Sequence, residues 1–424
     1  MISARLFRGS LAFLTLAALL GLAISGIVAA QEVKLTWSTW MGEEALEAYK
    51  RRFEEFERRY PHIDVEILMV PGGYDEYKAK LLTMIATGSG PDVAHTNILD
   101  ADFLIQNGLL LDVTKYAQEI DRDAYFLSDT IQKNGRVWGG FESHVQVYPL
   151  YYNVDLFEQA GLEDPNSLFS RDAWTWDTFR DAAIKLTRLS SDGTPIQHGL
   201  SMLADQWEIG WSHFLLTNGL DYINDERDQL LLDRPEVVDS LSLVADLVTY
   251  PGLNGWGTFI QGQAGMELQG SWMMSWYRHV TGFDWDIAPM PVGSSRTVYR
   301  APGIDGLVLA STKHPDEAWL LVRFLLDDYV QMDKAESKLE VPILRSAVSS
   351  PVYQTAPPKS MHVIGDLLQR SIPQPTFLGA REVIATIEGA LRPAIFGEQS
   401  MANAVKEAQR IGQAVLEEYL TGKR

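Results

Sequence analysis

Residues 32–97 read EVKLTWSTWMGEEALEAYKRRFEEFERRYPHIDVEILMVPGGYDEYKAKLLTMIATGSGPDVAHTN. EVKLTW, Glu32 to Trp37, is a short β run. From Glu43 to Tyr60 the residues Leu46, Tyr49, Phe53, Phe56 and Tyr60 recur at spacings of three and four, which predicts an amphipathic helix closed by Pro61. HIDVEILMV is the next strand, Tyr74 to Ala86 the next helix, and Gly88, Gly90 and Pro91 stop it before a third strand, DVAHT. Alternating strand and helix predicts a parallel sheet. In such sheets ligands sit beyond the carboxyl ends of the strands. That places Ser38, Thr39, Trp40, Tyr74, Thr96 and Asn97 among the candidate site residues.

Working outward, a second α/β region begins at VQVYPLYYNVDLF, Val145 to Phe157. Thr175 is placed to cap a helix from Trp176 to Leu189, with Thr178 where a capping box wants Glu or Gln. GLVLAS, Gly306 to Ser311, is an apolar strand, and Pro315, Asp316 and Glu317 start the following helix in accord with its dipole. Two helices, Arg381 to Phe396 and Met401 to Leu420, finish the chain. The expectation is two α/β lobes with several crossings between them.

At the other end, Arg5 and Arg8 precede an uncharged run, Leu11 to Ala30, that closes on Val28-Ala29-Ala30. This reads as a cleaved secretory signal over residues 1–30; an uncleaved membrane anchor is the alternative. The sequence has no Cys, so no lipid-attachable cysteine and no disulfide framework. The formal charge is −20, and removing Arg5 and Arg8 leaves 34 basic against 56 acidic residues, 34 − 56 = −22. Such a surface repels nucleic acid and anionic lipid. A periplasmic protein without nucleic-acid partners is expected. No HExxH, GxSxG, P-loop or GxGxxG occurs, and the eight His show no ligand spacing. A glycosidase with paired carboxylates stays open as an alternative on composition.

The ordered series GSGPDVAH, GLLLDVT, VYPLYYNVDLFEQAGL, WTWDTF, FIQGQAGMELQGSW, WDIAPMPVG and GLVLASTKHPDEAWLLVRFLL resembles the extracellular solute-binding proteins of sugar ABC importers, the maltose-binding-protein-like group. The resemblance implies an α/β, two-lobed type II periplasmic-binding-protein fold, each lobe a mainly parallel sheet flanked by helices, joined by a multi-strand hinge. Lobe I would be 31–145 with 306–350, and lobe II 146–305 with 351–424. The implied activity is capture of a sugar in the interlobe cleft and delivery to a membrane permease driven by a separate ATPase. No catalytic residue, metal or cofactor is implied, and the protein would be a monomer. A polyol, sugar phosphate or polyamine on the same fold is the rival cargo.

Carried residue by residue, the resemblance makes Ser38, Thr39 and Trp40 cleft wall and brings in Thr96 and Asn97. Glu142 and His144 fall on the first hinge crossing and Asp305 near the return crossing. Either Trp207 or Trp211 would be a ligand contact. Trp272, in Gly270-Ser271-Trp272, falls where an aromatic stacks on sugar. A pyranose has apolar C–H faces and a rim of hydroxyls, so flat aromatics with polar neighbours suit it. The expectation is Trp272 as stacking platform, Trp276 as its buried support, and Gly270 as the opening that lets ligand approach. Two core tryptophans are the bland alternative.

Overall fold

The computed structural model describes residues 32–127, 131–202, 204–207 and 210–423; the expected signal segment, 1–30, lies outside them. Strand β1 (Val33–Thr39) runs parallel to β2 (Ile63–Met69), paired from Val33–Ile63 to Thr39–Met69, and to β3 (Val93–Asn97). Helix α1 (Glu43–Arg59) connects the first two and buries Tyr49, Phe53 and Phe56, the stripe that the spacing predicts. Helix α2 (Tyr74–Ala86) connects the next two; Gly73 heads it, its N–H held by Glu76 Oε2 at 3.0 Å.

Strand β4 (His144–Gln146) belongs to this first sheet, and three residues later β5 (Leu150–Asn153) opens the second. This crossing is too short to contain anything but extended chain. Helix α3 (Trp176–Leu186) is capped by two threonines: the Thr175 N–H donates to Thr178 Oγ1 at 2.8 Å and the Thr178 N–H to Thr175 Oγ1 at 3.3 Å. A hydroxyl thus fills the place of the expected Glu or Gln. The helix ends three residues before Leu189, because Arg188–Leu189 pairs with the edge of β6 (Pro195–Ser201).

The second sheet continues with helix α4 (Trp211–Thr217), helix α5 (Pro235–Thr249), strand β7 (Ala264–Leu268) and strand β8 (Trp285–Ala288), in the order β8–β5–β7–β6 with Arg188–Leu189 outermost. The chain then returns through β9 (Val298–Val308), an eleven-residue strand that carries far more than the apolar end visible as GLVLAS. It is antiparallel to β4 at Ala301–Gly303 and to β3 from Gly303 to Val308, so the expected lobe boundary at 305/306 falls inside it. Helix α6 (Pro315–Leu325), with Pro315 in its first turn as expected, and helix α7 (Asp328–Ser337) precede β10 (Val341–Pro342), which closes the sheet order β10–β4–β9–β3–β1–β2. Strand β11 (Ser371–Pro373) pairs with the start of β9. Both sheets are mixed: in the first, β1, β2 and β3 are parallel and β9, returning from the other lobe, runs against them; in the second, β6 and β7 are parallel and the other neighbours antiparallel. Helices α8 (Ala380–Ile395) and α9 (Met401–Leu420) pack on each other and on α5, on the second lobe. No described helix is long and apolar enough to cross a membrane.

Candidate functional site

Where the two lobes face each other lies a cavity of about 210 Å³, lined by side chains from both. Trp40, just past β1, forms one wall. Its ring stacks on His95 at 4.0 Å between centroids and meets Tyr74 edge-on at 4.7 Å. His95 Nδ1 lies 3.1 Å from Thr39 Oγ1, and burial pulls its pKa down to about 3, so the imidazole stacks on the indole as a neutral ring. The Tyr74 hydroxyl donates to Asp100 Oδ2 at 2.6 Å, lies 3.0 Å from Thr96 Oγ1 and accepts the Asn97 N–H at 3.1 Å. One phenol therefore fixes the strand end that presents Thr96 and Asn97 to the cavity.

From the second lobe come Ser271 and Trp272. The Trp272 indole stands edge-on to Tyr148 at 5.8 Å, and the segment is held by Tyr151, whose hydroxyl donates to the Gly270 carbonyl at 2.9 Å. A Cβ at Gly270 would overlap the six-membered ring of Trp272. The glycine is there for the indole, which folds back across it; the expected role of admitting ligand is corrected accordingly.

His144 and Glu340 complete the lining, with His144 Nδ1 3.3 Å from Glu340 Oε1. Gly303 of β9 lies against His144, and a Cβ there would overlap the imidazole. Behind these groups sits a buried charge network. Glu340 accepts from Arg52 Nη1 at 2.7 Å, and its Oε1 lies 3.0 Å from Tyr49 Oη. Asp305 accepts from Tyr49 and Ser143 and lies 3.6 Å from Lys334 Nζ. Burial alone would raise both carboxyls, but Lys334 and His144, with Arg52 beside Glu340, hold Asp305 well below the usual range and Glu340 at about 2. The His144, Asp305 and Glu340 ligand atoms lie within 4.8 Å of one another, a metal-like spacing. Lys334 and Arg52 already supply the counter-charge, so the donor set reads as an ion network that ties α1, β4, β9 and α7 together at the crossing.

Of the expected contacts, Trp40, Thr96, Asn97, His144 and Trp272 line the cavity. The others lie outside the lining. Ser38 and Thr39 are buried inside β1, Ser38 Oγ 2.9 Å from Tyr77 Oη, because β1 runs two residues further than its apolar letters suggest. Tyr74 backs Trp40 without joining the lining, and Glu142 and Asp305 are buried beneath it. Trp207 and Trp211, 1% and 0% exposed, are core, each 5.9 Å edge-on to Tyr222. Trp276 is 63% exposed and does not back Trp272: the single turn it sits in, Met274–Tyr277, buries Met274, Ser275 and Tyr277 and leaves position 276 on its solvent side. Sequence reasoning missed His95, Gln146, Ser271 and Glu340. Strand alternation through DVAHT could have flagged His95 beside Trp40; nothing local marks Glu340.

The family profile described as "Bacterial extracellular solute-binding protein" matches residues 42–332, well over half of the chain. The chain belongs to this family. Among relatives of this solute-binding protein, YcjN of Escherichia coli (strain K12), named for an ABC transporter periplasmic-binding role, is 26% identical over 52% of this chain and 51% of its own length. The match thus spans about half of that relative. Among solved structures, the ABC substrate-binding protein Lmo0181 from Listeria monocytogenes in complex with cycloalternan superposes with a TM-score of 0.79 at 20% identity, covering 91% of this chain and all of the other. Maltose-bound MalE3 of T. maritima gives 0.75 at 21%, covering 90% and 100%. These likenesses establish the two-lobed type II fold for this solute-binding protein.

Proposed function

We propose that this protein is the binding component of an ABC importer, capturing a mono- or oligosaccharide between its lobes and presenting it to a membrane permease. The observation that carries the reading is that two indoles on different lobes, Trp40 and Trp272, line one cavity whose other walls offer Thr96, Asn97, Gln146 and Ser271. Flat apolar faces alternating with amide and hydroxyl groups match the two kinds of surface on a sugar ring. The structural neighbours bound to cycloalternan and maltose support the same class.

Among the described lining residues there is no Lys or Arg, which argues against a sugar phosphate, and Glu340 is the one carboxylate, already bonded to Arg52, which argues against a polyamine. The lobes would be 31–145 with 306–350 and 146–305 with 351–424, strand β9 being common to both. Sugar that touches both lobes stabilises the closed arrangement by its extra contacts there. A cleaved signal over residues 1–30, a periplasmic location and a monomeric state complete the reading, and the protein binds its cargo without transforming it.

A thermal-unfolding screen tests this against glucose, xylose, maltose, maltotriose and cellobiose, with sorbitol, glucose 6-phosphate and spermidine alongside. Ligand at about 100 times its dissociation constant adds ~2.7 kcal/mol of stability. A raised midpoint with neutral sugars alone is expected; shifts confined to spermidine or the phosphate would overturn the reading.

A further inference from the structure

Arg381 stands in the first turn of α8, a helix packed on the second lobe, yet its guanidinium leaves that lobe. Nη2 donates to Asp100 Oδ2 at 3.1 Å, Nη1 lies 4.0 Å from Asp75 Oδ1, and the guanidinium carbon sits 4.9 Å from the centroid of the Tyr74 ring. Tyr74 and Asp75 open α2, and Asp100 ends the 3-10 turn that follows β3, so all three partners belong to the first lobe. The same Tyr74 ring packs edge-on against Trp40, and its hydroxyl holds Thr96 and Asn97. A cation of one lobe therefore grips the back of the wall that the other lobe offers to ligand.

The start of α8 is itself fixed. Gly379, left-handed at φ 77°, packs so close to Tyr419 of α9 that a Cβ would overlap the phenol. Arg381 is thus carried rigidly by its own lobe, and what it touches reports where the lobes stand. The contact is also built to break. Asp100 keeps Lys78 and the Tyr74 hydroxyl when Arg381 withdraws, so no bare carboxylate is stranded. Arg381, with 29% of its side chain exposed, re-enters water readily.

We propose that Arg381 is a closure latch: a positioning residue, without ligand contact of its own, that biases the lobes toward the closed arrangement and so sets how tightly cargo is held. The inference rests on the two-lobed clamp reading given above. Closing adds a charge-assisted hydrogen bond and a cation–π contact that the open arrangement lacks. Affinity scales with the fraction of molecules already competent to bind, so a ligand-independent bias toward closure tightens binding of every cargo alike.

The chain has no Cys, so Asp64→Cys with Lys406→Cys, exposed sites on β2 and α9, give one spin-label pair across the lobes. Electron–electron distances are measured without ligand in the Arg381 background, in Arg381→Gln and in Arg381→Lys, and again in the first at molar salt. We expect Arg381→Gln and molar salt each to move the distribution toward longer distances, and Arg381→Lys to recover part of the change. With any sugar from the panel above that raises the unfolding midpoint, Arg381→Gln should weaken affinity about tenfold, mainly by faster release. Ligand-free distances that are the same in all three proteins would overturn the latch. A lengthened distance in a protein that no panel sugar stabilises would support the latch while overturning the sugar reading.

Discussion

Gly270 and Trp272 act as one unit, although only the tryptophan faces the cavity. Trp272→Ala is expected to cost ~1–3 kcal/mol of sugar binding, the usual worth of one stacking ring. Gly270→Ala should approach that loss without removing any ligand contact, since its methyl would drive the indole off its seat. Titration calorimetry of both variants against a stabilising sugar checks this, and a Gly270→Ala protein with full affinity would show that the indole is free to move. That Trp272 lines the cavity was legible only through the family resemblance, which places an aromatic at Gly-Ser-Trp. Its neighbour was not. Reading Trp276 as buried support puts it on the inner side of its turn, but Met274, Ser275 and Tyr277 take that side and leave the indole outside. For Trp207 and Trp211 the resemblance offered either as a ligand contact, while in the structure both pack edge-on to the ring of Tyr222 in the core.

At the scale of elements, the parallel run β1-α1-β2-α2-β3 follows directly from its hydrophobic spacing, and α2 keeps the bounds read from its letters. What periodicity does not carry is the strand that returns. The first eight residues of β9, VYRAPGID, have no clean alternation, because the strand is flanked by β11 and then by β4 and β3 in turn and its described side chains are buried on both faces. At α3 the Thr175 cap follows from the letters, while the reciprocal bond from Thr178 does not, since the rule asks for Glu or Gln there. Thr178→Val keeps the shape and removes the hydroxyl that receives the Thr175 N–H. We expect ~1 kcal/mol of lost stability, read from the urea midpoint, with the far-ultraviolet circular dichroism of the native state unchanged.

Across the whole molecule, the site depends on groups far apart in sequence. Glu340 meets Tyr49, Arg52 and His144, and Asp305 meets Ser143 and Lys334, separations that no local pattern encodes. The same burial makes a pH prediction. His95 and His213 are buried and held neutral, each with its pKa pulled down to about 3. Unfolded, they take up protons near pH 6.5. Between those limits the unfolded chain binds more protons, so stability falls as pH falls. The two imidazoles by themselves predict a loss of ~2–4 kcal/mol between pH 7 and pH 5. Glu267, whose carboxyl burial pushes up to about 8, works the other way over the same range, so urea unfolding at each pH is read in Glu267→Gln, where the histidine share stands alone. Glu340 extends the decline further, since its depressed pKa contributes stability above about pH 4.5 that is lost toward about pH 2. A flat profile from pH 7 to 5 in Glu267→Gln would mean that the two imidazoles are already protonated or solvated in the native protein.

Strand β9 has a consequence for how such a protein can diversify. It bonds to β11 at Val298–Arg300, to β4 at Ala301–Gly303 and to β3 from Gly303 to Val308, laying Gly303 under His144 on the way. Inserting or deleting one residue would turn every following side chain to the opposite face, taking Asp305 from its partners. Lineages descending from this scaffold are therefore free to exchange letters at Trp40, Asn97 or Trp272 as diets change, but the length of β9 should stay constant among them. Gains and losses of residues should collect in surface turns such as 190–194 and 224–229, where the chain can lengthen without crossing between lobes.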